Sequence, residues 1–378
     1  MKILNVIMSL DQVTGGGSVE RTFQMSKAIA EAGEECVIIT LDIGITPQRR
    51  KELNQVAIVE LPCLGRRYYL PYFSYSRIKK AVQSVDIIHI MSHWTLLNAI
   101  IYFVARRLGK PYVVCPAGVL MIYGRSRILK NIYNWIIGKR IILDAAGHIA
   151  ITTDEILQFE SYGVKRDKIS VIPNGINPID FEDKNVIEFR SKYGLGDAPF
   201  ILFVGRMSPE KGPDLLLQAF CNVSDKYPLH HLVFAGTHQN MRSNLNKMVA
   251  DHSLENRVHF IGHIGGHDKS RAYAAAELLV IPSRHEAMSI VVLEAGITGT
   301  PVLLTDQCGF NQVEGVDGGA VVSASVEGLQ TGLTGLLDAA PNLKIKGENL
   351  RKFTIQNFLW QTVIKQHLEL YKKILNRK

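Results

Sequence analysis

The stretch Pro282-Ser283-Arg284-His285-Glu286-Ala287-Met288-Ser289-Ile290-Val291-Val292-Leu293-Glu294-Ala295-Gly296 carries two carboxylates with seven residues between them. Glu294 falls inside an apolar run, where a bare carboxylate is costly unless it accepts hydrogen bonds. The two vicinal hydroxyls of a ribose would supply them. Ser289 fits the N-cap of a helix that follows, so the amides of Met288, Ser289 and Ile290 lack intrahelical acceptors and offer a phosphate site. Glu286 then stands on the loop before that helix. Upstream, Gly205-Arg206 and Pro209-Glu210-Lys211-Gly212 place two cations between a buried strand and a helix start. An arginine fork and a lysine point charge there make an oxyanion clamp. The same residues also fit a plainer reading: a capped surface helix with two incidental glutamates and ordinary surface charge.

These side chains need strands and helices to aim them. Residues 276–281 read as a short buried strand stopped by Pro282, and 301–305 as the next strand, so the segment is one βαβ crossover. Such units bind ligands where loops leave the carboxyl ends of strands. Residues 200–204, 231–236 and 258–262 are further strands, with a helix over 214–222 and a strand–helix step near 272–276. The first half repeats the pattern. A strand over 2–10 precedes Gly15-Gly16-Gly17-Ser18 and a helix over 19–32; strands follow at 36–40, 86–90, 111–115 and 148–152. The glycines let the backbone approach a ligand and present amides to an anion, although a tight turn with no ligand fits as well. This is not a Gly-x-Gly-x-x-Gly fingerprint, because position 20 is Glu. The chain is α/β.

Taken together, Pro-Ser-x-x-Glu, Leu-Glu-Ala, Gly-x-Pro-Val, Gly-Arg and Glu-Lys-Gly resemble the signature of glycosyltransferase family 4, and Pro173-Asn174-Gly175 resembles its hinge. That resemblance implies a retaining, nucleotide-sugar-dependent enzyme of the GT-B fold, with two facing Rossmann-like domains and a cleft between them. Residues 1–174 would form the acceptor-side domain, braced by a C-terminal helix from about 355 to 378, and residues 175–354 the donor domain. Arg206 and Lys211 would grip the donor's diphosphate, Glu294 the ribose, and Glu286 the sugar hydroxyls. Met288, Ser289, Ile290, Gly205, Gly16 and Gly17 would complete the donor site. His93, Ala117 and Gly118 would lie on the acceptor side. Ala117 departs from the histidine that many members carry before this glycine. The implied co-substrate is a UDP-, GDP- or ADP-linked sugar, with no further cofactor and no metal, since the cations take a metal's place. A GT-B nucleotide-sugar epimerase and a non-catalytic nucleotide-sugar-binding subunit are the alternatives.

Composition sets the surroundings. At 378 residues, with 47% apolar and 21% charged residues, the chain suits two soluble globular domains. Its five scattered cysteines, at 36, 63, 115, 221 and 308, form no Cys-x-x-Cys pair and fit a reducing compartment. No signal peptide or spanning run is visible, so a cytoplasmic protein is expected. His89 and His93 lack a third partner for a metal.

The net charge of +8 is concentrated: residues 1–180 hold 22 Lys/Arg against 15 Asp/Glu, and no acid lies between Asp86 and Asp144. Arg66-Arg67-Tyr68-Tyr69-Leu70-Pro71-Tyr72-Phe73-Ser74-Tyr75 mixes cations with aromatics. Residues 120–143 alternate apolar and basic residues at near-helical spacing. That segment reads either as an interfacial helix or as a core helix with a solvated basic face. The basic, aromatic half predicts peripheral contact with an anionic membrane and a lipid-linked saccharide acceptor, as in surface-polysaccharide, lipopolysaccharide or capsule assembly. No nucleic-acid module accompanies the charge.

Overall fold

A computed structural model describes residues 1–12, 15–65, 69–72, 74–122, 126–237 and 241–377. Of the basic and aromatic residues within the stretches 66–75 and 120–143, Arg66, Arg67, Tyr68, Phe73, Tyr123 and Arg125 lie outside the described residues. The chain forms two compact units, Met1–Gly175 with Trp360–Lys378, and Ile176–Leu359.

In the first unit, strands β1 (Lys2–Val6), β2 (Glu35–Leu41) and β3 (Ala57–Leu61) precede a short antiparallel pair, β4 (Cys63–Gly65) and β5 (Leu70–Pro71). Strands β6 (Ile87–Met91), β7 (Tyr112–Cys115), β8 (Gly147–Ala150) and β9 (Ile169–Val171) follow. Seven of these make one parallel sheet in the order β3-β2-β1-β6-β7-β8-β9. Helices cover both faces of such a sheet, which is why β6 and β7 are buried along their whole length and read as unbroken apolar runs. β1 ends at Val6, short of the expected Leu10. There the Ser9 hydroxyl takes the Asp11 amide at 3.0 Å and turns the chain. The first helix begins in the glycines themselves, at Gly16, and runs to Glu31. The C-terminal helix Trp360–Leu375 buries Val363, Ile364, Leu368, Tyr371 and Ile374 within this unit.

The segment expected as one helix over 120–143 is instead an α-helix Arg127–Tyr133, a π-helical turn Asn134–Gly138 and an α-helix Lys139–Leu143.

In the second unit, β10 (Phe200–Val204), β11 (His231–Ala235), β12 (Val258–Gly262), β13 (Leu278–Ile281), β14 (Val302–Thr305) and β15 (Gly319–Val322) form a parallel sheet ordered β12-β11-β10-β13-β14-β15. Phe203, Phe220, Phe234, Leu278, Val280, Leu303 and Leu333 are among the residues of its core. Residues Gly266–Ala275 are helix. Both units are Rossmann-like. In each, the strand order reverses at one point, between β1 and β6 and between β10 and β13. Ligands of open parallel sheets bind where loops leave the carboxyl ends of strands at that reversal. Among the described residues no helix is long and apolar enough to cross a membrane.

Candidate active site

The reversal in the second sheet brings two loops together. β10 and β13 are hydrogen-bonded neighbours, with Ile201 opposite Leu278 and Leu202 opposite Leu279. Their carboxyl-end loops, 205–212 and 282–289, therefore leave the sheet side by side. Gly212, in the left-handed region at φ +65°, marks the approach: a Cβ there would sit 2.0 Å from the Pro282 carbonyl oxygen. The loop after β14 closes against the same place. The Glu286 amide donates to the Gln307 carbonyl at 2.9 Å, and the Thr305 hydroxyl to the Ser283 carbonyl at 2.5 Å.

Across these loops Lys211 Nζ lies 2.8 Å from Glu286 Oε1, and the Ser283 hydroxyl donates to Glu286 Oε2 at 3.1 Å. Both members of the pair are largely shielded, with side-chain exposures of 25% and 14%. Arg206 is exposed just beyond Gly205 and makes no ion pair among the described residues. The Gly205 amide is held by the Ala235 carbonyl at 2.9 Å, which fixes where Arg206 leaves the sheet. Burial holds His285 below the usual histidine range, and Lys211 lowers it while Glu286 opposes; the imidazole is neutral at neutral pH.

The helix after this loop runs from Ile290 to Thr298 with Ser289 at its N-cap. Two expectations are corrected here. The Ser289 amide is not free: it donates to the Cys308 carbonyl at 3.2 Å. Its hydroxyl makes no cap bond and is buried without a hydrogen-bond partner among the described residues. The amides that helix geometry leaves without intrahelical acceptors are those of Ile290 and Val291. Met288 is buried at the end of the loop, beneath which the Gly309 backbone passes so closely that a Cβ would meet the Ala287 carbonyl at 1.7 Å.

Glu294 is 4% exposed, as its apolar flanks require. No ribose is required to satisfy it, contrary to expectation, because the protein does so itself: Lys269 Nζ pairs with Oε1, and the Tyr273 hydroxyl donates to Oε2 at 2.6 Å. A carboxylate with both oxygens engaged still has lone pairs for further donors. Burial and the Glu294 charge push the Tyr273 phenol up, so it stays a donor.

Sequence reasoning missed Lys269 and Tyr273, although their four-residue spacing puts them on one helix face. It also missed Arg284. Its guanidinium grips Asp214 at 2.9 and 2.6 Å and the Pro209 carbonyl at 2.8 Å, while its amide donates to the Glu210 carbonyl at 2.8 Å. Arg284 thus ties the loop of Glu286 to the segment of Lys211. A cavity of about 620 Å³ opens elsewhere in this unit, beside β12, lined by Lys192, Arg242 and His259 and by none of the loop residues above.

In the first unit, Gly16 and Gly17 are exposed at the start of their helix, and Val13 and Thr14 before them lie outside the described residues. Ala117 and Gly118 have φ of +52° and +86°. The Gly118 amide is committed to Glu155 Oε1, while Glu155 Oε2 takes the Ile151 amide at 2.6 Å. Glu155 is buried and fixes this turn. His93, expected on the acceptor side, is 1% exposed. It packs edge-on against Trp94, Tyr133 and Tyr162 and bonds Asn134 at 3.1 Å; burial lowers it to about 4. His89 is also fully buried, bonded to the Tyr371 hydroxyl at 2.5 Å and stacked on His367. Arg21, another residue the sequence did not single out, is buried. It donates to the Pro173 carbonyl at 2.9 Å and Asn174 Oδ1 at 2.7 Å, holding the Pro-Asn-Gly turn. Among the described residues no group of three or more His, Cys, Asp or Glu side chains is placed to hold a metal ion.

Residues 15–179 match the family model of Glycosyltransferase Family 4, and residues 185–353 that of Glycosyl transferases group 1. An uncharacterized glycosyltransferase of Methanocaldococcus jannaschii is 29% identical over 218 residues, 56% of this chain and 55% of that one. The D-inositol 3-phosphate glycosyltransferase of Frankia alni is 30% identical over 279 residues, 67% of this chain and 62% of that one. The chain thus spans just over half to three fifths of the length of these two relatives. The crystal structure of Anabaena HepE in complex with UDP and glucose superposes with a TM-score of 0.76 at 20% identity, covering 98% of each chain.

Proposed function

We propose that this chain, which is of the GT-B, family 4 glycosyltransferase type, moves a sugar from a nucleoside-diphosphate sugar to a hydroxyl acceptor with retention at the anomeric carbon. The observation that carries the reading is the Lys211–Glu286 pair at the point where the second sheet reverses, with Arg206 on the same loop as Lys211. When the bond from the anomeric carbon to the phosphate oxygen breaks, negative charge develops on the departing diphosphate. Arg206, Lys211 and the first-turn amides of the helix Ile290–Thr298 stabilise that charge, and fixed donors do so without reorganising. No metal is needed for this step. Glu286, held between Lys211 and Ser283, is placed to accept hydrogen bonds from sugar hydroxyls rather than to remove a proton. Glu294 offers its remaining lone pairs to the ribose.

UDP is the first nucleotide to test, because a similarly folded protein was solved with it. The excess of cations in residues 1–180 favours an acceptor presented at an anionic membrane, a lipid-linked saccharide of surface-polysaccharide assembly. The test is a thermal-shift series with UDP, GDP and ADP on wild type and Glu294→Ala, followed by mass analysis of product from the matching sugar donor. One nucleotide should raise the melting temperature of the wild type and not of the variant. No shift with any of the three removes the donor assignment.

A further inference from the structure

The segment 127–143 turns its apolar residues outward. The α-helix Arg127–Tyr133 buries none of its residues. Ile128 is 76% exposed and Trp135 87%, with Leu129, Ile132, Ile136 and Leu143 also open to solvent. A core helix with a solvated basic face would show the reverse. Nor is the segment loosely attached. Ile137, Ile141 and Ile142 are buried in the core of the first unit, the Tyr133 hydroxyl donates to the Thr95 carbonyl at 3.0 Å, and Asn134 Nδ2 donates to the Tyr162 hydroxyl at 2.6 Å. The exposed apolar row is therefore presented by a fixed element. Arg127, Lys139 and Arg140 are exposed along it.

We propose that residues 127–143 seat the first unit on an anionic bilayer, with Ile128, Leu129, Ile132, Trp135 and Ile136 entering the headgroup region and Arg127, Lys139 and Arg140 meeting lipid phosphates. A fixed amphipathic helix with cations beside an apolar face lies in the plane of the interface, and tryptophan settles at headgroup depth. Charge decides the occupant. A second copy packing the same face against itself would bring these cations together across a two-fold axis. An anionic surface neutralises them, and no acidic residue lies between Asp86 and Asp144 to oppose it. The inference deepens the lipid-linked acceptor reading, yet the binding itself stands on this surface alone.

The experiment is co-flotation of the full chain with vesicles of phosphatidylcholine, and of phosphatidylcholine with about a third phosphatidylglycerol. Wild type should float with the anionic vesicles, less so as salt screens the charges. Addition of those vesicles should shift tryptophan emission to the blue, and Trp135→Phe should abolish the shift. The double variant Ile132→Ser/Trp135→Ser, altered only at exposed positions, should lose affinity by about tenfold or more. Failure of wild type to float, or equal flotation of the double variant, overturns the proposal. So does a wild-type dimer that the double variant abolishes, because a second copy then covers the face. A UDP thermal shift on both proteins separates the two readings: a retained shift with no flotation removes the membrane inference alone, and flotation without a shift with UDP, GDP or ADP removes the donor assignment alone.

Discussion

Lys211 and Glu286 come from loops after two different strands and meet with Nζ 2.8 Å from Oε1. The cation assigned to the diphosphate and the carboxylate assigned to the sugar therefore hold each other in place. Neither role is independent of the other.

Replacing either residue should remove transition-state stabilisation and also release its partner. Lys211→Ala is expected to lower turnover by about 10²–10³-fold, the scale of losing one preorganised oxyanion donor. Glu286→Gln should cost a comparable factor. The double variant should fall well short of the product of the two, because paired residues couple. Turnover of the four proteins at saturating donor measures this, and strictly multiplicative losses would show that the two act separately.

Glu294 makes a stability prediction that needs no substrate. Glu294→Ala leaves Lys269 and the buried Tyr273 hydroxyl without their acceptor. Removing one partner of a buried, hydrogen-bonded pair costs about 3–5 kcal/mol. Glu294→Gln keeps an acceptor for Tyr273 and should lose less. Urea midpoints for unfolding of the second unit should fall in the order wild type, Gln, Ala.

The alternation of strands and helices was legible because strands buried on both faces are unbroken apolar runs, as in Phe200–Val204 and Leu278–Ile281. The proximity of Glu286 and Lys211 was legible only through a resemblance, since their separation of 75 positions carries no local signal. The partners of Glu294 were hidden for the same reason: Lys269 and Tyr273 belong to a different helix, and only packing brings them in. The enclosure of His93 by Trp94, Tyr133 and Tyr162 was not legible, because two of the three rings lie far from it in sequence. The outward face of residues 127–143 was equally closed to sequence, because amphipathic spacing gives the existence of two faces and not which one is covered.

Arg284 is expected to act by position. Its two contacts to Asp214 and its bond to the Pro209 carbonyl fix the segment that carries Lys211. Arg284→Ala should lower kcat by up to about 10²-fold, the cost of a misplacement near 1 Å, with a small change in donor KM. Arg284→Lys restores the charge without the planar fork, so rescue should be partial. Full activity in the alanine variant would leave Gly212 and the β14 loop as sufficient to position Lys211.

The buried histidines of the first unit set its response to acid. His93 is lowered to about 4 and His367 to about 3, chiefly by burial, and His89 is lowered as well. In the unfolded chain each titrates near 6.5, so as pH falls below that value the unfolded state takes up protons that the folded state refuses. Stability is fully present above about 6.5 and drains away towards the folded values near 4 and 3. For His93 alone the shift corresponds to a loss of about 3 kcal/mol once the pH is below 4. His93→Asn removes the titrating group, so its urea midpoint should depend less steeply on pH between about 6.5 and 4 than that of the wild type, whatever its value at neutral pH. Urea titrations at half-unit pH steps, followed by near-ultraviolet circular dichroism, measure the two slopes. Parallel slopes would mean that His93 does not carry this share of the acid sensitivity.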